Sequence, residues 1–440
     1  MMTVVRQRKN LVTGILAWVV VFLAGCTGGD REPAREARPA DLILTGGTVR
    51  ILGEGDPRQA LAIRGGAVAA LGDAAEVDRL RGPATQVNDL EGKTLLPGFV
   101  DHHIHLLNVG LSLLNAELDE EIFLDLSSAR SLDEIARQIR NRAATLPPGA
   151  WIMGKGWSQG AWGEGRLPTH NVLTRAAPRH PVFLARVDGH AGWVNRAALQ
   201  AAGITAETPD PPGGAILRSA GGEPSGVLLE RANELVAAHL PRPADEQIVR
   251  AFRLGASAMA ARGVVELFDA GFLACPGIVD VNADFERILE LIRRTDKEQA
   301  LPVRVNLMIP APSVLADKVL ADPDRYRTIS PRVRVTHIKL FADGALGSRG
   351  ARLTHPYSDD PATRGVEWMP AAELRAQVGC AIAAGLDVAV HAIGDEAIRI
   401  TLDAFEAALL ERPDLAPGRM RIEHFSHASS EDMQRAARRG

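Results

Sequence analysis

From Asp41 onward the chain sets short apolar runs between glycine pairs. Asp41-Leu42-Ile43-Leu44, Thr48-Val49-Arg50-Ile51-Leu52, Ala60-Leu61-Ala62-Ile63 and Ala67-Val68-Ala69-Ala70-Leu71 are broken by Gly46-Gly47 and Gly65-Gly66. Runs this short, punctuated by residues that turn freely, predict the strands of a small β-domain over residues 41–96. Pro97-Gly98 ends it, and an apolar stretch from Phe99 opens the next strand. Beyond residue 260, strand-like runs at 263–269, 303–308, 333–341, 386–391 and 420–425 alternate with helix-like ones such as 371–384, 395–410 and 430–439. Strand, helix, strand at this spacing predicts an α/β fold: a parallel sheet wound with crossover helices, as in a (β/α)8 TIM-type barrel, with the functional groups at the C-terminal strand ends. Six such strands are countable where a closed barrel has eight. The expectation is therefore an incomplete barrel over residues 97–440, preceded by a small N-terminal β-sandwich and interrupted by a long insertion over residues 111–262.

The N-terminus follows another pattern. Arg6, Arg8 and Lys9 precede an apolar run from Leu11 to Leu23, the layout of a leader and too short to favour a spanning helix. Leu23-Ala24-Gly25-Cys26 resembles the lipobox of bacterial lipoproteins. That resemblance implies removal of residues 1–25, diacylglycerol on the Cys26 thiol, and residence in a bacterial cell envelope, on the periplasmic face of the outer membrane where there are two membranes. Residues 26–40, rich in Gly, Pro, Arg and Glu, read as a flexible tether.

Composition narrows the chemistry. The chain has 440 residues, 46% of them hydrophobic and 24% charged, with a formal charge of -4. That balance is ordinary for a globular protein and argues against a nucleic-acid partner. Cys26, Cys275 and Cys380 are too few for a disulfide framework and are not spaced as a zinc knuckle. The informative polar residues are those inside apolar strands. His103 and His105 are two apart, so period two puts both on one face, with His102 on the other. Lys339, His391 and His424 each fall late in a predicted strand, while His427 lies off the His424 face. Five such side chains predict a metal site at a barrel mouth; imidazole accepts zinc, iron, nickel or copper. The plainer alternatives are hydrogen-bonded core histidines and an ion pair between Lys339 and Asp343.

Four ordered motifs resemble the amidohydrolase superfamily, and within it the YtcJ-like group filed with the third amidohydrolase family. They are Leu96-Pro97-Gly98-Phe99-Val100-Asp101-His102-His103-Ile104-His105, the run from Ile338 to Arg349, Val390-His391-Ala392-Ile393-Gly394-Asp395, and Arg421-Ile422-Glu423-His424. Gly154-Lys155-Gly156-Trp157 and the run from Asp188 to Asn195 resemble the group's region between strands one and two. The resemblance implies hydrolysis of a non-peptide carbon-nitrogen bond, in an amide, formamide or cyclic ureide, through a metal-bound hydroxide. It implies one or two divalent ions, zinc first and iron, nickel or manganese as alternatives, held by His103, His105, Lys339, His391 and His424. Lys339 would carry a carbamate from carbon dioxide, with Lys339 and His391 acting in catalysis. Trp157, His190 and Asp343 are the candidates for substrate contact, and Trp151, Trp157, Trp162 and Trp193 for an aromatic pocket wall.

In one respect the sequence departs from the pattern: the strand-eight aspartate of the family has no counterpart here. The expectation is that the 440-residue chain is a truncated form of a longer enzyme, insoluble or inactive by itself. The alternative function is a non-catalytic envelope lipoprotein that retains metal or small-ligand binding. The expected partners are a small-molecule substrate and, through Cys26, a membrane; no oligomeric state is specified.

Overall fold

In this computed structural model, residues 38–51, 55–117, 123–163, 165–271 and 285–438 are described. The leader, Cys26, most of the tether and Cys275 lie outside them. Among the described residues no helix is long and apolar enough to cross a membrane.

The chain divides into two units, residues 1–97 and 98–440. In the first, the described residues supply β1 (Leu42–Thr45), β2 (Thr48–Val49), β3 (Ala60–Arg64), β4 (Ala67–Gly72), β5 (Gln86–Asp89) and β6 (Thr94–Leu95). Four of them form a sheet in the order β4-β3-β1-β5, and β2 pairs with β6. The predicted runs recur at β1 to β4. A short helix, Ala74–Asp78, starts where the Asp73 carboxylate accepts the N–H of Glu76 at 2.7 Å. Its Val77 closes a core with Ala40, Ile43, Ala60 and Ala62. β5 gave no apolar run because all four of its residues are exposed.

The second unit opens with β7 (Phe99–Ile104). An insertion follows, carrying β8 (Leu124–Asp125), β9 (Ile152–Trp157), β10 (Val182–Arg186), β11 (Ala191–Val194), β12 (Gly214–Arg218) and β13 (Pro224–Glu230). The chain then returns as β14 (Val264–Asp269), β15 (Arg304–Pro310), β16 (Thr328–Ser330), β17 (Val333–Phe341), β18 (Asp387–Ala392) and β19 (Met420–His424). Six parallel strands pair in the order β19-β18-β17-β15-β14-β7, with β16 antiparallel on β17. This is the α/β, TIM-type arrangement the sequence predicts, a nearly closed parallel barrel sheet. At its two ends the Arg421 guanidinium of β19 donates to the His102 carbonyl of β7 at 2.5 Å.

Leu267, Val305, Leu307, Ile338, Leu340, Val388 and Val390 pack the barrel's outer face in one apolar core with helices Phe285–Glu298, Ala371–Ala383 and Asp395–Glu411. Helices Leu106–Glu117 and Asp245–Ala260 also join it, and there glycine is required. A Cβ on Gly110 would lie 1.8 Å from the Ala251 carbonyl oxygen. The insertion is a sheet in its own right, in the order β12-β13-β11-β10-β9-β8.

Candidate metal centre

β7, β17, β18 and β19 run parallel, so the late residues of each come to the same end of the barrel. There the rings of His103 and His105 lie 5.5 Å apart between centroids, His103 and His424 4.8 Å, and His391 and His424 4.6 Å. Lys339, completely buried on β17, has no hydrogen-bond partner for Nζ, which sits 4.5 Å from the Phe341 ring centroid. All five residues expected at the metal therefore meet in one place. The direct ion pair between Lys339 and Asp343 is not formed.

Three rings are held by one nitrogen. His105 Nδ1 donates to the Gly271 carbonyl at 2.7 Å, and His103 Nδ1 to the Glu423 carboxylate. His391 Nε2 faces the Gly344 carbonyl at 3.2 Å. Carbonyls and carboxylates only accept, so these nitrogens carry protons, and in His105 and His391, which burial keeps neutral, the opposite nitrogen keeps its lone pair. Burial, ahead of the neighbouring positive groups, lowers His105 to about 4 and His391 well below its ordinary value. At the rim, His424 is likewise lowered to about 4, by burial of its inner side and then by His103 and Lys339. Neutral imidazole is the ligating form. Burial also brings Lys339 down to about 7, against the pull of Glu423. The rings meet edge to face, and among the described residues no three His, Cys, Asp or Glu side chains are drawn together as a formed metal-binding group. What fits a divalent ion is the donor set: neutral imidazoles fixed from behind, and a buried amine with no other partner.

Glu423 was not singled out by the sequence, because period two puts it opposite His424. The backbone resolves the conflict: His424 and Phe425 take φ of 72° and 48°, turning the strand end so that both Glu423 and His424 reach the site. Arg421 flanks Glu423 at 2.5 Å. Although burial raises it, the hydrogen bond from His103 and the charges of Arg421 and Lys339 hold Glu423 down at about 2, an anion at any working pH. Replacing it in Glu423→Gln is expected to weaken metal binding by about 10- to 100-fold. Competition against a chelator reads this directly, and unchanged affinity would remove Glu423 from the site.

Asp269 was also missed. Completely buried at the end of β14, it accepts the Gly271 N–H at 3.2 Å and so fixes the carbonyl that holds His105; burial raises it to about 8. Asp343 is engaged by the N–H groups of Arg352, Ile393 and Gly394 at 2.8, 3.0 and 2.8 Å, and burial raises it to about 7. It ties together the loops after β17 and β18, 3.7 Å from His391 Nε2, rather than presenting a free carboxylate to substrate.

The insertion brings His190 to the centre, its ring 4.7 Å from that of His391 and its Nδ1 2.7 Å from a Glu230 oxygen. Burial opposes its charge, yet Glu230 beside it leaves the value raised. Trp157, expected at the substrate, is corrected. It is completely buried in the insertion's core, stacked with Trp162 and edge-on to Trp193, its N–H donated to the Leu184 carbonyl at 2.8 Å. Trp193 is satisfied in the same way, its N–H donated to the Thr169 carbonyl at 3.0 Å, so Trp157 and Trp193 are packing residues of the insertion's core. The cavity that reaches the centre, about 540 Å³, is lined instead by His103, His105, Lys155, Arg186 and Asp188.

Residues 86–440 match the Amidohydrolase family. The chain belongs to this family. It is 32% identical over 393 residues to a putative amidohydrolase, YtcJ, of Bacillus subtilis, covering 88% of this chain and 69% of that protein. It is 31% identical over 407 residues to an N-substituted formamide deformylase of Arthrobacter pascens, covering 90% and 71%. Among solved structures, an uncharacterized metal-dependent hydrolase of Pyrococcus horikoshii superposes with a TM-score of 0.60 at 28% identity, over 90% of this amidohydrolase chain and 72% of the other. The amidohydrolase chain spans 64 to 71% of the length of three of the curated relatives it matches.

Proposed function

We propose that this amidohydrolase is a divalent-metal-dependent hydrolase of a non-peptide carbon-nitrogen bond in an amide, formamide or cyclic ureide. The observation that carries the reading is the ring of His103, His105, His391 and His424 at the barrel mouth with the unpartnered Lys339 amine buried at the same strand ends. The formamide deformylase relative supports the choice of bond. When bound, a divalent ion supplies Lewis-acid polarisation of a carbonyl and activation of water. Zinc suits the imidazole set first, with iron, nickel or manganese as alternatives, and one or two ions are proposed.

The chain's own residues do the rest. Glu423 and the Gly271 carbonyl orient His103 and His105. Glu230 holds the Nδ1 proton of His190, keeping a donor-bearing ring beside His391 on the insertion's side of the centre. Lys339, shielded from water, is proposed to give up its ammonium proton and, as the neutral amine, to add carbon dioxide with loss of a second proton to solvent, which would leave an anionic carbamate in place of an isolated buried cation. Labelled carbon dioxide giving no carbamate resonance in the metal-loaded protein would count against that step. Anchoring at Cys26 in a bacterial envelope rests on Leu23-Ala24-Gly25-Cys26, and a native protein whose mass includes no lipid would end it.

The hydrolase reading is tested by assaying a panel of N-substituted formamides and amides before and after chelation. Turnover is expected to disappear with the metal and return when zinc is added back. Turnover indifferent to the chelator would overturn the proposal.

A further inference from the structure

The cavity that holds His103 and His105 is walled by β9 and β10 of the insertion, which bring two cations to it, Lys155 and Arg186. Arg186 is already compensated: it pairs with Asp188, and its Nε donates to Gln159 at 2.9 Å. Lys155 is not. Its ammonium touches the Ser112 hydroxyl and lies 4.8 Å from the Phe123 ring centroid, and among the described residues no carboxylate pairs with it. Asp125, in the same cavity, is exposed and accepts the Ser127 N–H at 2.9 Å. Nor is Lys155 a mobile rim lysine. It sits on a strand paired on both sides, to Asp125 of β8 and Ala185 of β10, and the next residue, Gly156, takes φ of 94° where a Cβ would meet Ser127 N at 2.9 Å. The sheet thus fixes, in the cavity that opens on the metal-side histidines, a positive charge that no carboxylate of the described residues reaches within ion-pair distance, although Asp125 is its neighbour across the strand pair.

We propose that Lys155 anchors a carboxylate of the substrate, so that the amides taken by this site carry an acid group away from the bond that is cut. The inference rests on the hydrolase reading above for the position of the scissile bond. A carboxylate brought to Lys155 gains a charge-assisted hydrogen bond from the ammonium, which the Ser112 oxygen holds in place while its own hydroxyl donates to the Asn108 carbonyl at 2.6 Å, in a space large enough for a small N-acyl amino acid. A neutral amide accepts a hydrogen bond from the same ammonium but lacks the attraction of opposite charges. The Lys155 charge thereby acts as a specificity device, and its effect weakens as salt screens it.

The test uses the full chain and a series of ω-(formylamino)alkanoates of increasing length, each matched with its primary amide, which keeps the shape and removes the charge. Dissociation constants come from calorimetry with and without metal, and KM from turnover. At the best length the acid is expected to bind about tenfold tighter than its amide. That ratio is expected to fall toward one in Lys155→Gln and to be largely kept in Lys155→Arg, with metal content and melting temperature showing that both variants fold. Acid and amide bound equally by the unsubstituted chain, or a preference that survives in Lys155→Gln, would overturn the subsite. Calorimetry separates the two ideas: a chain that turns over none of these compounds yet binds the acids through Lys155 loses the hydrolase reading and keeps the subsite.

Discussion

Exchanging Lys339 for methionine is expected to stabilise the metal-free chain while abolishing its activity. The amine is completely buried with no hydrogen-bond partner, and burial lowers it from 10.5 to about 7. The folded state thus releases a proton that the unfolded chain holds until higher pH. The cost to stability is full below about 7 and is relieved as pH rises from there through 10.5, since over that window the unfolded state binds more protons than the folded one. Methionine fills much the same volume without the charge, so the metal-free variant should gain a few kcal/mol at neutral pH and lose the upward slope of stability between pH 7 and 10.5. Activity should fall by roughly three orders of magnitude, because the amine proposed to carry the carbamate is gone. Chemical denaturation across that pH range and steady-state assays of the same preparations read the two effects. A variant that is both less stable and still active would show that Lys339 is an ordinary structural lysine.

Replacing His103 and His105 together with alanine carries the second large effect. The pair supplies two imidazoles held from behind by Glu423 and Gly271, so metal affinity and turnover should both collapse, turnover by about 10³-fold or more. The same substitution has an acid-side signature. His105 has a folded value of about 4 against 6.5 when exposed, so its contribution to stability is full above 6.5 and is lost as pH falls from 6.5 to 4, about 3 kcal/mol in all. The variant should therefore lose less stability than the unsubstituted metal-free chain on acidification. Equal acid sensitivity in the two would mean that His105 is not the buried neutral ring described here.

The barrel strands were legible because most of them carry apolar residues that pack against helices, and all but β15 have a polar residue near the C-terminal end, and both features leave a mark on a sequence. The insertion was legible only as motifs. Every residue of β10 and β11 is buried, which erases the alternation that marks a half-exposed strand, and β8 is two residues long. Five candidate ligands could be read because parallel strands place late residues together without further information. Glu423 could not, because its access depends on the left-handed backbone at His424, and a histidine at positive φ leaves no trace in composition or spacing. Trp157 misled because tryptophan near a glycine-rich motif looks the same whether its indole faces a cavity or a carbonyl of its own sheet. Asp269 acts through a backbone amide, so its role exists only once the turn to Gly271 is folded.

The most direct measurement is the metal content of the full chain purified without chelator, with the coordination shell read by X-ray absorption. At least about one divalent ion per chain is expected, in a shell of nitrogen and oxygen at about 2.0–2.2 Å, and lost in the His103 and His105 double variant. A sulfur shell, or a chain that takes up no divalent ion when one is offered, would contradict the metal centre on which the proposed function stands.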